Sequence, residues 1–211
     1  MSQIIPDYNK KFRSILIFGA PGSGKGTMGR FLSAAGNHVH LSSGDIFRGL
    51  SPDSPAGQLF HSFASKGHLV PDQVTLQIWH NYVLGLIATN RYFPSQQFLL
   101  LDGIPRTLEQ AVLLEQYIEP LHIIVLKIDD KQKLVARMKR RALIEGRHDD
   151  TDENVLMTRF KVYEETTSKL LAHYPKDKIT VVNADQKPLE VLKDILNHLS
   201  GLLSSPEKGA N

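Results

Sequence analysis

Short apolar runs alternate with stretches of helical periodicity along nearly the whole chain. The runs are Ser14–Phe18, His38–Leu41, Gln97–Leu101, His122–Ile128 and Ile179–Val182. Each has the length of a strand, and apolar residues at consecutive positions suit strands covered on both faces. Helical spacing marks about 25–35, 55–65, 72–88, 107–118, 130–142, 151–173 and 188–203. Five strands alternating with helices predict an α/β fold with a five-stranded parallel sheet flanked by helices. Ligands of such sheets bind beyond the carboxyl ends of the strands. Residues 1–13 read as a polar lead-in, and Ser204–Asn211 as a frayed tail. No repeat or low-complexity linker divides the chain, so a single domain over 1–211 is expected. Two stretches break the alternation, 42–72 and 140–150 (RRALIEGRHDD). Each fits either an inert loop or a mobile lobe over the cleft.

Composition narrows the setting without naming a chemistry. Of the 211 residues, 41% are hydrophobic and 22% charged, as in a soluble domain with a real core. There is no cysteine, which excludes disulfides and thiolate metal sites. No stretch approaches the length of a membrane span, and the first residues lack an apolar leader. A cytoplasmic protein without a membrane partner is expected. The net charge of +3 favours an anionic ligand in a general way. The nine histidines show no HxxxH or HxxEH spacing, which argues against a metal site built from them.

The chemistry begins at GAPGSGKGT, Gly19 to Thr27, between the first strand and the first helix. Glycines let backbone N–H groups approach phosphate oxygens, and the helix that follows offers its positive end. Gly22, Ser23, Gly24, Lys25, Gly26 and Thr27 are the candidate phosphate ligands, with Lys25 supplying a point charge. The position after Lys25 is Gly26, where a general phosphate loop has a metal-binding hydroxyl. That argues against an ordinary GTPase or motor ATPase. Asp102 ends the third strand and faces the expected crevice, where it would hold Mg²⁺ or its waters. Arg106 follows closely and suits bidentate phosphate contact.

A second basic group lies further along. Arg137 and Arg141 are four apart on one predicted helix and share a face. Arg141 falls in line with the apolar stripe of Leu134, Val135 and Met138. Arg159 sits at the edge of the stripe Leu156, Phe160, Tyr163, Thr167 and Leu171. Arg137, Arg141, Arg147 and Arg159 together suggest a cationic clamp around 140–150. Asp149 and Asp150 lie inside it, and Asp150 with Glu153 reads as a capping box for the helix at 151–173. Lys131 to Arg141 lacks aromatic interleaving, so a nucleic-acid partner is not expected.

Several motifs in order resemble the adenylate kinases, over roughly Ile15 to Leu199. The glycine loop is similar to the GxPGxGKGT loop of nucleoside monophosphate kinases. Leu41-Ser42-Ser43-Gly44-Asp45-Ile46-Phe47-Arg48 resembles the segment that opens the family's monophosphate lobe, and Gly67-His68-Leu69-Val70-Pro71-Asp72 the one that closes it. Leu100 to Thr107 with Gln110 resembles DGFPRT…Q, and Gly146 to Asp150 resembles the lid exit. Ile104 stands where the family has Phe, Ser43 where it has Thr, and the spacing from Asp149-Asp150 to Arg159 is one residue longer.

The resemblance implies a P-loop NTPase fold with strand order 2-3-1-4-5, a monophosphate-binding lobe at about 42–72 and a short lid at about 140–150. It implies Mg²⁺-dependent transfer from ATP to AMP, without zinc, by a monomer. Gly22 to Thr27, Arg137, Arg141 and Lys187 would hold ATP. Ser43, Arg48, His68, Leu69, Val70, Gly103, Arg106, Gln110, Arg147 and Arg159 would hold AMP. Lys25, Arg106, Arg141, Arg147 and Arg159 would stabilise the transferring group, and Asp102 the metal through water. A UMP/CMP kinase and a P-loop ATPase coupled to a partner are the alternatives. Ser43, Thr107 and Gln110 favour AMP, since a glutamine amide can match the adenine edge.

Overall fold

The computed structural model describes residues 8, 10–146 and 152–203. Strand β1 (Phe12–Gly19) lies at the centre of a parallel sheet of order β2-β3-β1-β4-β5. Its neighbours are β3 (Leu99–Asp102) and β4 (Ile118–Lys127), with β2 (Val39–Ser42) and β5 (Ile179–Asn183) at the edges. The order is the one the resemblance implies.

Alternation along the strands builds the two faces. Phe12, Leu16, Phe18, Leu99 and Leu101 point to one side, where Leu76, Trp79 and Val83 of α4 (Asp72–Ala88) and Ala111 and Leu114 of α5 (Leu108–Leu114) cover them. Ile15, Ile17, Leu100, Ile124 and Leu126 point to the other. There they meet Met28 and Leu32 of α1 (Lys25–Gly36) and Val191, Ile195 and Leu199 of α8 (Pro188–Leu203). Ile104 is fully buried in the first of these cores, so its replacement of Phe is a packing difference.

Register brings the functional ends together. Ser42 pairs with Asp102 across β2 and β3, and Ile17 pairs with Asp102 across β1 and β3. β2 and β3 therefore end at one level, and β1 runs two residues further, to Gly19. The connections leave from the strand ends: α2 (Ser43–Arg48) and α3 (Pro55–Ala64) follow β2, and α6 (Lys131–Glu145) and α7 (Glu153–Ala172) follow β4.

Some boundaries differ from the reading of the sequence. The lead-in ends earlier than 13, because Phe12 and Arg13 already pair with Ile118 and Glu119. Tyr8 stacks on Phe12 with ring centroids 4.8 Å apart. The helix expected over 107–118 stops at Leu114, because Tyr117 N–H turns back to the Leu114 carbonyl and β4 begins at Ile118. The helix expected to end at 142 runs to Glu145, so the first part of 140–150 is helical. Helix α7 starts at Glu153, two residues later than expected, and Asp150 of the expected capping box lies outside the described residues. Asp152 caps it, accepting from the Asn154 and Val155 N–H groups. Arg147, Asp149, Asp150 and the tail after 203 lie outside the described residues. Among the described residues no helix is long and apolar enough to cross a membrane.

Candidate active site

The loop after β1 is shaped by backbone conformations that side chains resist. Gly22 and Gly24 have φ of 84° and 97°, in the left-handed region. Gly22 is also pressed against α6: a Cβ there would stand 2.7 Å from the Leu134 carbonyl oxygen. Gly24 occupies the N-cap of α1 and offers no capping side chain. The first turn of that helix, Lys25 to Met28, lines the cleft without a side-chain cap. A helix start in this state is an anion site in waiting.

Lys25 is folded back on the loop. Its Nζ donates to the Gly19 carbonyl at 2.8 Å and the Ala20 carbonyl at 3.2 Å. Burial pulls its pKa down to about 8. Asp102 opposes that shift, while Arg106, Arg141 and Arg159 add to it by repulsion. These three arginines therefore aim their charge at the same region as Lys25.

Asp102 is 7% exposed at the end of β3. Burial acts to raise its pKa, but His40, Lys25 and Arg106 more than offset this and hold the carboxyl below its usual value. His40 Nε2 stands 3.8 Å from Asp102 Oδ2, beyond direct hydrogen-bond distance. Gly26 leaves the approach to Asp102 open, since a Cβ there would stand 3.5 Å from Oδ2.

Beyond Asp102 the site is assembled from side chains. Ser43 Oγ donates to the Gly103 carbonyl at 2.6 Å, and Arg106 Nε donates to the same oxygen at 2.8 Å. Arg106 Nη2 also reaches Ser43 Oγ at 3.4 Å. Arg48 is paired with Asp45 one turn back on α2. Gln110 is buried behind them at the start of α5.

A single cleft of about 570 Å³ runs past these groups. Gly22, Ser23, Gly24, Lys25, Gly26 and Thr27 line it, as do Arg48, Leu69, Asp102, Gly103, Arg106, Arg137, Arg141 and Arg159. A small adjoining pocket of about 50 Å³ is lined by Ser43, Leu69, Val70, Gly103, Arg106 and Gln110, among others. Leu69, Gly103 and Arg106 border both, so the pocket opens off the cleft. Arg137 Nη1 donates to the Ala184 carbonyl at 3.2 Å, which ties α6 to the end of β5. His68 and Lys187 are exposed and line neither space. Lys187 instead starts α8, its N–H donating to Glu190 Oε2 at 3.1 Å. Its neighbours Gln186 and Pro188 do line the cleft.

Sequence reasoning overlooked several lining residues. Arg30 stands four residues after Gly26 on α1 and so shares its face, a spacing that could have revealed it. Tyr163 stands four after Arg159 on α7 and lines the cleft by the same rule. His40 carries no motif of its own, and only strand pairing puts it beside Asp102.

A glycine-rich loop between β1 and α1, at the carboxyl ends of a 2-3-1-4-5 parallel sheet, defines a nucleotide-binding protein of the P-loop class. Residues 17–179 match the family model described as adenylate kinase. The chain is 36% identical over 196 residues to an adenylate kinase of Flavobacterium psychrophilum, covering 88% of this chain and 99% of that one. It is 38% identical over 167 residues to an adenylate kinase of Flavobacterium johnsoniae, covering 76% and 84%. It is 30% identical over 190 residues to adenylate kinase 1 of Schistosoma mansoni, covering 89% and 92%. The chain belongs to the adenylate kinase family: it is a nucleoside monophosphate kinase, a phosphotransferase. Neither a UMP/CMP kinase nor a partner-coupled ATPase is favoured by these likenesses.

Proposed function

We propose that the chain transfers the terminal phosphoryl group of ATP to AMP, reversibly, giving two ADP. The observation that carries this is the continuity of the cleft. The glycine loop forms one end, the pocket of Ser43 and Gln110 opens off it, and Lys25, Arg106, Arg141 and Arg159 line it. A phosphoryl group leaving the loop would remain among cations until it reached an acceptor phosphate.

The acceptor oxygen belongs to a phosphate that is already ionised at neutral pH, so no general base is required. Catalysis is then alignment of donor and acceptor plus neutralisation of charge on the moving group. In this reading the loop and Lys25 hold the ATP phosphates, with Arg137 and Arg141 beside them and Lys187 near the adenine. Ser43, Arg48, Leu69, Val70, Gly103, Arg106 and Gln110 hold AMP, with His68 at the edge. Arg147 and Arg159 bridge the two, Arg147 from outside the described residues.

Magnesium would come with the nucleotide and would supply charge neutralisation to its phosphates. Asp102 fits as its protein contact. Among the described residues it is the one buried carboxylate, and its approach past Gly26 is open. A single carboxylate suits an ion that keeps several waters and phosphate ligands. The lobe at 42–72 and the lid at 140–150 would close over the cleft and exclude water as a competing acceptor. A monomer acting in the cytoplasm belongs to the same reading.

Turnover with AMP, CMP, UMP and GMP, measured side by side with ATP as donor, tests this reading. AMP should be used best. Faster turnover of UMP or CMP would overturn the choice of acceptor.

A further inference from the structure

Asp72 touches the small pocket only through another residue. Gln110 is 2% exposed, and its amide is held at both ends. Its Oε1 accepts from the Arg106 backbone N–H at 2.7 Å. Its Nε2 donates to Asp72 Oδ1 at 2.8 Å. These partners settle which end is which. A backbone N–H only donates, so it must face the oxygen, and a carboxylate only accepts, so it must face the nitrogen. A half-turn of the amide would set N–H against N–H and a carbonyl oxygen against a carboxylate. It would forfeit two buried hydrogen bonds, one of them charge-assisted.

Asp72 is itself well placed to hold. It is the first residue of α4, directly after Pro71, where the helix dipole favours a carboxylate. Helices α4 and α5 pack together, which fixes the distance between Asp72 and Gln110.

A primary amide has two N–H donors and two lone pairs. One of each is spent on Asp72 and Arg106, and one of each remains. A 6-aminopurine presents an acceptor at ring N1 beside an amino donor. A 6-oxopurine presents the reverse, an N1–H donor beside an oxygen acceptor. A glutamine free to flip reads both edges. A glutamine held in one orientation reads one of them and leaves the other with mismatched groups, which a buried site rejects strongly.

We propose that Asp72 is a positioning residue that sets 6-amino over 6-oxo selectivity in the acceptor pocket, by locking the orientation of the Gln110 amide. The proposal rests on the reading of Gln110 as a contact to the acceptor base.

The test is Asp72→Asn, with AMP and IMP compared as acceptors at the same ATP concentration. Asparagine keeps the size but can offer either an oxygen or an NH₂ group, so position 72 no longer opposes the flipped amide and only the Arg106 N–H still does. The AMP-to-IMP ratio of kcat/KM should fall by at least about tenfold, chiefly through a gain on IMP. The KM for ATP should stay unchanged. A purely structural defect would lower both acceptors together and leave the ratio where it was. An unchanged ratio in the folded variant overturns the proposal. Gln110→Ala separates the two layers. If it leaves the KM for AMP unaltered, the reading of Gln110 as a base contact fails. If it raises that KM while Asp72→Asn keeps the ratio, only the role of Asp72 fails.

Discussion

The loop end of the cleft and the pocket end are built by different means. On the proposed reading, the main chain does the binding at the loop end. Its shape comes from Gly22 and Gly24 in conformations that other residues resist, and the loop's own Lys25 is tethered to carbonyl oxygens of the same loop. At the pocket end the side chains do it. Ser43 and Arg106 converge on the Gly103 carbonyl, and Gln110 is held by Asp72 and the Arg106 backbone. The groups come from two connections, β2 to β3 and β3 to β4, and meet because Ser42 pairs with Asp102 in the sheet. A main-chain site is local and depends on backbone freedom. A side-chain site is distributed and depends on register.

The contrast predicts different failures at the two ends. Arg106→Ala should have the largest effect on activity, a loss of at least about 10³ in turnover, in line with arginines that stabilise a transferring phosphoryl group. Arg106 is exposed and outside the core, so the unfolding midpoint should barely move. Near-normal turnover in that variant would remove Arg106 from the proposed phosphate site.

Gly22→Ala should fail in the opposite manner. The left-handed φ and the close Leu134 carbonyl strain any Cβ, at a cost of about 1–3 kcal/mol. Denaturant unfolding should show that loss in the absence of any ligand, together with weaker ATP binding. If stability is unchanged, the loop is less constrained than its contacts indicate.

The smallest predicted effect is a proton count. Lys25 titrates at about 8 in the fold, against 10.5 for an ordinary lysine. Between these values the unfolded chain holds a proton that the fold has released. Raising the pH through that window therefore favours the folded, unliganded protein. Below pH 8 both states are protonated, and the burial cost is carried in full. Lys25→Met should lack this rise in stability. Bound phosphates favour the charged amine, so ATP binding at pH 8 should take up about half a proton. Calorimetry in buffers of different ionisation enthalpy would measure it. No proton uptake would mean that Lys25 is already fully charged in the empty cleft.

The same contrast explains what could be read from the residues alone. The loop stood out because its chemistry is consecutive: a strand, GAPGSGKGT, then a helix. Buried strands stood out for a similar reason, being short and apolar on successive positions. Short or overlapping elements did not. Helix α2 is six residues long, too short for periodicity to declare itself, and is capped instead by Ser42. The helical spacing of Ala111, Leu114 and Ile118 hid the turn at Tyr117, which tertiary pairing of Phe12 with Ile118 imposes. At the pocket end, Arg106 and Gln110 were visible as motif residues. Their holders were not: Asp72 lies thirty-eight positions from Gln110, and its role appears only once α4 and α5 are packed. Arg30 was within reach of a helical-spacing argument from Gly26.

The most direct measurement is ATP consumption with and without AMP in the presence of magnesium. If one cleft carries a phosphoryl group from the loop end to an acceptor at the other, ATP and AMP should disappear in equal amounts and two ADP should form. ATP alone should be hydrolysed only slowly. Rapid ATP hydrolysis that does not depend on AMP would contradict transfer to an acceptor phosphate.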